Sequence, residues 1–88
     1  QPFEPWLKAE RERVARQCEA AQQRYRDEEL VCWRRFAVND CVRKARVERR
    51  TAMDQLRQEE LLLNEMERQR RTAERLRQLE QKQQKAAP

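Results

Sequence analysis

The residues with the most chemistry to offer are three cysteines, at positions 18, 32 and 41 of an 88-residue chain. Nothing stands beside them to make them catalytic. The chain has no His and no Gly, and no Ser occurs anywhere in it. Serine triads, Cys–His dyads and His-ligated zinc are therefore excluded, as are glycine-built phosphate loops. Enzymes of the common kinds drop out with them, and neither a catalytic residue nor a cofactor is expected. Three thiolates could hold Cu(I), a soft ion. With only two Met and no C-x-x-C spacing, a thiol redox or Cu(I)-carrier role stays an alternative, and no metal site is assigned. The simplest chemistry for such cysteines is a disulfide, which requires elements that bring two of them together.

Those elements are helices. Arg, Glu, Ala, Leu and Lys make up more than half of the chain, a composition typical of coiled coils and long helices. Pro2, Pro5 and Pro88 lie at the ends, so nothing between Trp6 and Ala87 breaks a helix. Pro5 suits the first helical position, where its missing N–H costs nothing. Apolar residues then fall at Leu7, Val14, Cys18, Ala21 and Tyr25, a heptad seam that Cys32 and Phe36 extend. The internal punctuation is Val38-Asn39-Asp40. Asn and Asp favour turns and caps over helix interiors, and Asn tolerates the left-handed conformation that ends a helix. The expected fold is all-α: helix 1 over Pro5–Phe36, a turn over Ala37–Asn39, and helix 2 over Asp40–Gln84 with Asp40 as its cap. A second seam runs through Val42, Ala45, Ala52, Leu56, Leu63, Met66 and Ala73, drifting to Leu76 and Leu79. The runner-up is one continuous helix paired in a dimer.

An antiparallel hairpin of this kind has a longer second helix, whose C-terminal part, from about residue 72, overhangs the first. It also sets Cys32 and Cys41 at similar height across the turn. A bond there closes a loop of ten residues, worth about 2.5–3 kcal/mol by chain entropy. In an unbroken helix the same two residues would lie about 13.5 Å apart along the axis, beyond disulfide reach. Cys18 is left over. A small buried apolar residue, a symmetric cross-link between two chains and a swapped partner for Cys32 or Cys41 all fit its seam position.

The run Cys32-Trp33-Arg34-Arg35-Phe36-Ala37-Val38-Asn39-Asp40-Cys41, followed by Arg/Glu-rich helix, resembles small exported coiled-coil proteins of proteobacteria. The likeness extends in texture over Ala20–Gln84. It implies export and a disulfide, and no activity. A looser similarity links the chain to cysteine-stapled coiled-coil-helix hairpins, which carry twin C-x9-C motifs where this chain has a single C-x8-C.

Charge bears on partners. The net charge of +5 comes from 21 basic and 16 acidic residues, finely mixed and often at helical pairing distances such as Glu12→Arg16 and Glu67→Arg71. Each such pair adds roughly 0.2–0.5 kcal/mol to a helix. Arg-Arg pairs at 34–35, 49–50 and 70–71 make nucleic-acid or other polyanion binding an alternative. Acidic residues interrupt the basic runs, however, so nucleic acid is not the expected partner. No apolar run approaches the ~18 residues needed to cross a bilayer. The chain opens Gln1-Pro2-Phe3 without an initiator Met, as it would after removal of a signal peptide or of other preceding residues. Together with three cysteines and no His, this leads to the expectation of a periplasmic or secreted protein.

Apart from Tyr25 in mid-seam, the aromatic residues sit at the two ends of helix 1. Trp33 and Phe36 either plug the closed end of the hairpin or stand out as an anchor, and Trp6 is expected near Met66. The function expected is a non-enzymatic helical interaction module of the cell envelope: an adaptor, accessory subunit or chaperone-like clamp. Its partner would be an envelope protein, belonging to a larger membrane complex or standing alone, with homo-oligomers a further option. The surfaces expected to carry binding are Trp33, Arg34 and Arg35 at the turn, and Arg75, Leu76 and Leu79 on the overhang.

Overall fold

The computed structural model describes residues 2–86. Two helices account for all its regular structure, α1 over Phe3–Cys32 and α2 over Val38–Ala86. They run antiparallel. Glu29 of α1 meets Arg46 of α2, Arg13 meets Glu59, and Arg11 reaches Asn64 and Glu67. The pairing thus moves up one helix as it moves down the other. The hairpin is a rod of 82 × 19 × 13 Å.

The seam between the helices is as thin as the composition requires. Leu7 and Val14 of α1 pack with Leu56 and Leu63 of α2, and Phe3, Trp6, Cys18 and Met53 lean against this cluster. Toward the closed end the buried positions become Ala21, Tyr25 and Cys32 on α1, with Val42 and Ala45 on α2. Tyr25 is buried by its ring, while its hydroxyl accepts a 2.8 Å hydrogen bond from Arg24 Nη2. No polar or charged residue is buried among those described, so the seam carries no desolvation cost of that kind.

The helix ends differ from the expected ones. α1 starts at Phe3, two residues before Pro5, with Trp6 N–H donating to the Pro2 carbonyl at 3.3 Å. Pro5 still falls in the first turn, where backbone N–H groups lack intrahelical acceptors. α1 stops at Cys32, four residues before Phe36, and α2 begins at Val38, two residues before Asp40. The turn is therefore 33–37 and not 37–39. It unwinds through tight bonds, Arg34 N–H to the Val31 carbonyl and Arg35 N–H to the Cys32 carbonyl. No described residue has positive φ, so Asn39 does not end a helix in the left-handed conformation. Asn39 and Asp40 instead occupy the first turn of α2, where a carboxylate is favoured by the helix dipole. Both positions suit Asn and Asp; the reach of the cysteine pair decides between them. With α1 ending at Cys32, that residue faces Cys41 with a Cα–Cα distance of 5.4 Å.

The two helices differ in length, 30 residues against 49. Phe3 lies beneath Arg70, whose guanidinium carbon is 5.0 Å from the ring centroid. Everything in α2 beyond that contact, about 24 Å of helix at 1.5 Å per residue, has no α1 beside it.

Candidate interaction surfaces

The sulfurs of Cys32 and Cys41 are bonded to each other, and Cys32 is 2 % exposed. Cys18 is a free thiol, half-buried against the apolar cluster. It lies 14 residues before Cys32, roughly 21 Å along α1, so the three sulfurs are not gathered at one place. The bond ties the last residue of α1 to the first turn of α2 and thereby holds the turn as a fixed loop.

That loop does not fold its aromatic residues inward. Trp33 is 67 % exposed and Phe36 111 %, and Leu30 and Val31 are exposed beside them. The expectation that Trp33 and Phe36 plug the closed end is therefore wrong. The reason lies in the helix boundary: both residues follow the last residue of α1, so neither continues the seam. Cys32, Val42 and the disulfide fill the end of the hairpin instead. Arg34 and Arg35 are also exposed. Of the turn residues singled out from sequence, all three (Trp33, Arg34 and Arg35) form one exposed cluster.

The overhang is the second surface. From Arg68 to Ala86 every residue is exposed. Leu76 and Leu79 are 55 % and 49 % exposed, so neither continues the hairpin seam, which ends at Leu63. Met66 is also exposed and is not part of the cluster against which Trp6 leans. Trp6 packs on the group that includes Leu7 and Leu63 and lies against Phe3, with ring centroids 5.9 Å apart. The geometry of α2 explains this. One residue is 100° of turn, so Leu63 and Leu62 belong to different stripes. Leu63 faces α1, whereas Leu62 is exposed and heads a second line, Leu62, Met66, Gln69, Ala73 and Leu76, spaced 4, 3, 4 and 3. Leu79 lies one turn beyond it. Residue spacing alone merges the two stripes into one drifting seam and passes over Leu62. The signal was the Leu61-Leu62-Leu63 triplet, which puts leucines on three faces at once.

Charge is uneven along the rod. Between residues 70 and 86 stand six basic and two acidic side chains, so most of the chain's net +5 sits on the overhang. Glu74 is held by Arg77 at 2.9 Å and Arg71 is paired with Glu67 at 3.3 Å, which leaves Arg75, Lys82 and Lys85 to set the local field. At the hairpin's middle the charges pair off. Glu10 accepts from Arg13 and keeps that guanidinium's pKa above its ordinary value, and Arg68 holds the Glu65 carboxyl below the usual carboxylate range through their hydrogen bonds. The first pair is half-buried and the second largely exposed; water reaches both, so they contribute little to stability.

Two open grooves flank the seam. The larger, about 1200 Å³, runs beside the closed end between Val31 on α1 and Val47 on α2. Basic and acidic side chains alternate on its walls, Arg24 and Lys44 with Glu28 and Glu48, so it has no single charge preference. Among the described residues no group of His, Cys, Asp or Glu is arranged to hold a metal ion, and no helix is long and apolar enough to cross a membrane. No protein-family model, curated protein or solved structure matches the chain.

Proposed function

We propose that the chain is a non-enzymatic helical interaction module of the cell envelope, acting as an adaptor, accessory subunit or chaperone-like clamp. The observation that carries this reading is the extension of α2 beyond the start of α1. A helix that continues past its only intramolecular partner while keeping a line of apolar residues offers that line to another molecule. Leu76 and Leu79, edged by Arg75, form the strip, and the partner is a helix or groove with an apolar track and acidic margins. Recognition of this type reads anchors spaced by one helical turn. The hairpin behind the overhang supplies a rigid handle, closed by the Cys32–Cys41 bond. A structural disulfide is at home in an oxidising compartment, which supports a periplasmic or secreted location.

The excess of basic residues on the overhang favours a second reading, binding of a nucleic acid or other polyanion. Neutralised phosphates release counterions, so that binding would fall steeply with salt and would not depend on the leucines.

A photo-crosslinker placed at position 76 of the disulfide-intact protein, in a native envelope extract, separates these readings. The module reading expects one or a few protein adducts that vanish in Leu79→Glu and persist after nuclease treatment. Adducts unchanged by Leu79→Glu, or abolished by nuclease, would contradict it.

A further inference from the structure

The closed end of the hairpin has a composition found nowhere else on the rod. Residues 30–39 form the longest stretch of the chain without an acidic side chain, although 16 acids are spread over the 88 positions. The acids that bound it are already paired, Glu29 with Arg46 at 3.4 Å and Asp40 with Arg43 at 3.5 Å. Arg34 and Arg35 carry no such partner among the ion pairs found in the structure, so the pole is positive. It is also apolar. Leu30, Val31, Trp33 and Phe36 are all exposed within these few residues, a concentration that scattered surface hydrophobes do not reach.

Shape narrows the choice of partner. The cluster crowns the end of an 82 Å rod and projects outward. Phe36 is more accessible than a residue in an isolated extended peptide. A partner helix needs a track to lie along, and Trp33, Arg34 and Phe36 stand outside the groove beside the closed end. A protein pocket would have to be preformed around the wedge, whereas a fluid bilayer yields to it. Trp rings settle at the headgroup level of membranes, and apolar residues beside Arg are the composition of interfacial segments. Guanidinium groups bind phosphate oxygens through two parallel hydrogen bonds.

We propose that the closed end of the hairpin docks on an anionic lipid bilayer surface, Trp33 and Phe36 entering the interfacial layer while Arg34 and Arg35 hold lipid phosphates. Docked in this way, the rod stands away from the membrane and presents the α2 overhang at its far end. The assignment goes beyond the partner strip proposed for Leu76 and Leu79 and does not depend on it.

The test uses the full disulfide-intact chain with vesicles of phosphatidylcholine containing 30 % phosphatidylglycerol, against phosphatidylcholine alone. Sedimentation should show binding to the anionic vesicles, falling about fivefold for each of Arg34→Gln and Arg35→Gln, as expected for one basic residue near a charged surface. Trp33→Ala with Phe36→Ala should lower it by at least about tenfold, the smallest loss expected when an aromatic side chain leaves an apolar phase. All four positions are exposed, so circular dichroism should be unchanged. In Trp6→Phe, where Trp33 is the sole Trp, emission should move to the blue and be quenched by lipids brominated on their acyl chains. Three results would overturn the proposal: no binding at low ionic strength, a bound protein whose Trp33 stays unquenched, or binding that ignores the tip substitutions and is lost with Arg75→Gln and Arg77→Gln. The last would assign the contact to the overhang, and the second would turn the tip toward a protein partner.

Discussion

Arg70 of α2 lies over the ring of Phe3, 5.0 Å from its centroid, and this contact marks where α1 stops covering α2. On one side of it the apolar residues are paired into a seam. On the other the helix runs on alone, exposed and basic. A division within the molecule follows from that boundary: the buried contacts lie between Phe3 and the disulfide, and the remaining turns of α2 add none.

Ending the chain after Thr72 should therefore leave the hairpin intact. Thermal unfolding should move by no more than about 2 °C, since no buried contact is lost. A collapse of helicity beyond the loss of the removed residues would show that the overhang supports the fold.

Neighbouring leucines should behave in opposite ways. Leu63→Ala removes a buried seam residue and should cost about 2–4 kcal/mol. Leu62→Ala, one position earlier and exposed, should stay within about 0.5 kcal/mol. Denaturant unfolding of the two variants reads the difference, and equal costs would mean that the stripes are assigned to the wrong faces.

Opening the Cys32–Cys41 bond, by reductant or by Cys32→Ser with Cys41→Ser, should destabilise the hairpin by about 2.5–3 kcal/mol. For a chain of this size that is a fall in Tm of roughly 10–20 °C. Cys18→Ala should leave the response to reductant unchanged, because its thiol is free. A reductant-insensitive Tm in the parent protein would remove the staple from the account.

The pH dependence has a definite sign. Arg68 lowers the Glu65 pKa from 4.5 in the folded chain, so this pair's contribution is fully present above that value. It is lost as pH falls through the lower, folded value. Arg13 and Arg68 have pKa values raised above the ordinary guanidinium value by their carboxylate partners, so their contributions are fully present below that ordinary value and lost only at strongly alkaline pH. Glu65→Gln should flatten part of the acid limb of a stability–pH curve. Because the pair is exposed, the effect should be small and should shrink further in high salt. A change centred near neutral pH instead would point to a group outside these pairs.

Much of the fold was legible because the helical seam is written in heptads and punctuated once. Leu7, Val14, Ala21 and Tyr25 on α1, with Val42, Ala45, Leu56 and Leu63 on α2, are buried as their spacing implies. The turn was placed within a few residues but not at its true position, since Asn39 and Asp40 suit a first helical turn as well as a loop. That small shift had a large consequence for the tip. Phe36 read as a seam residue is apolar filler; Phe36 in a loop after Cys32 is an exposed aromatic side chain. Ala52 is half-buried as its spacing implies, and Met53 beside it is half-buried too and leans on the apolar cluster, because a seam is wider than one residue per turn. The exposed character of Leu76 and Leu79 depends on where α1 begins, which no local pattern in α2 can reveal.

The most direct test of the doubled-back chain is a tryptic map of the native protein under non-reducing conditions, after alkylation of free thiols. Cleavage at Arg34 and Arg35 separates the peptide holding Cys32 from the one holding Cys41, and Cys18 falls on a third. The hairpin predicts a single pair of peptides, 27–34 and 36–43, joined only through sulfur, with Cys18 alkylated. Alkylated Cys32 and Cys41 on separate peptides, or either one bonded to Cys18, would contradict it.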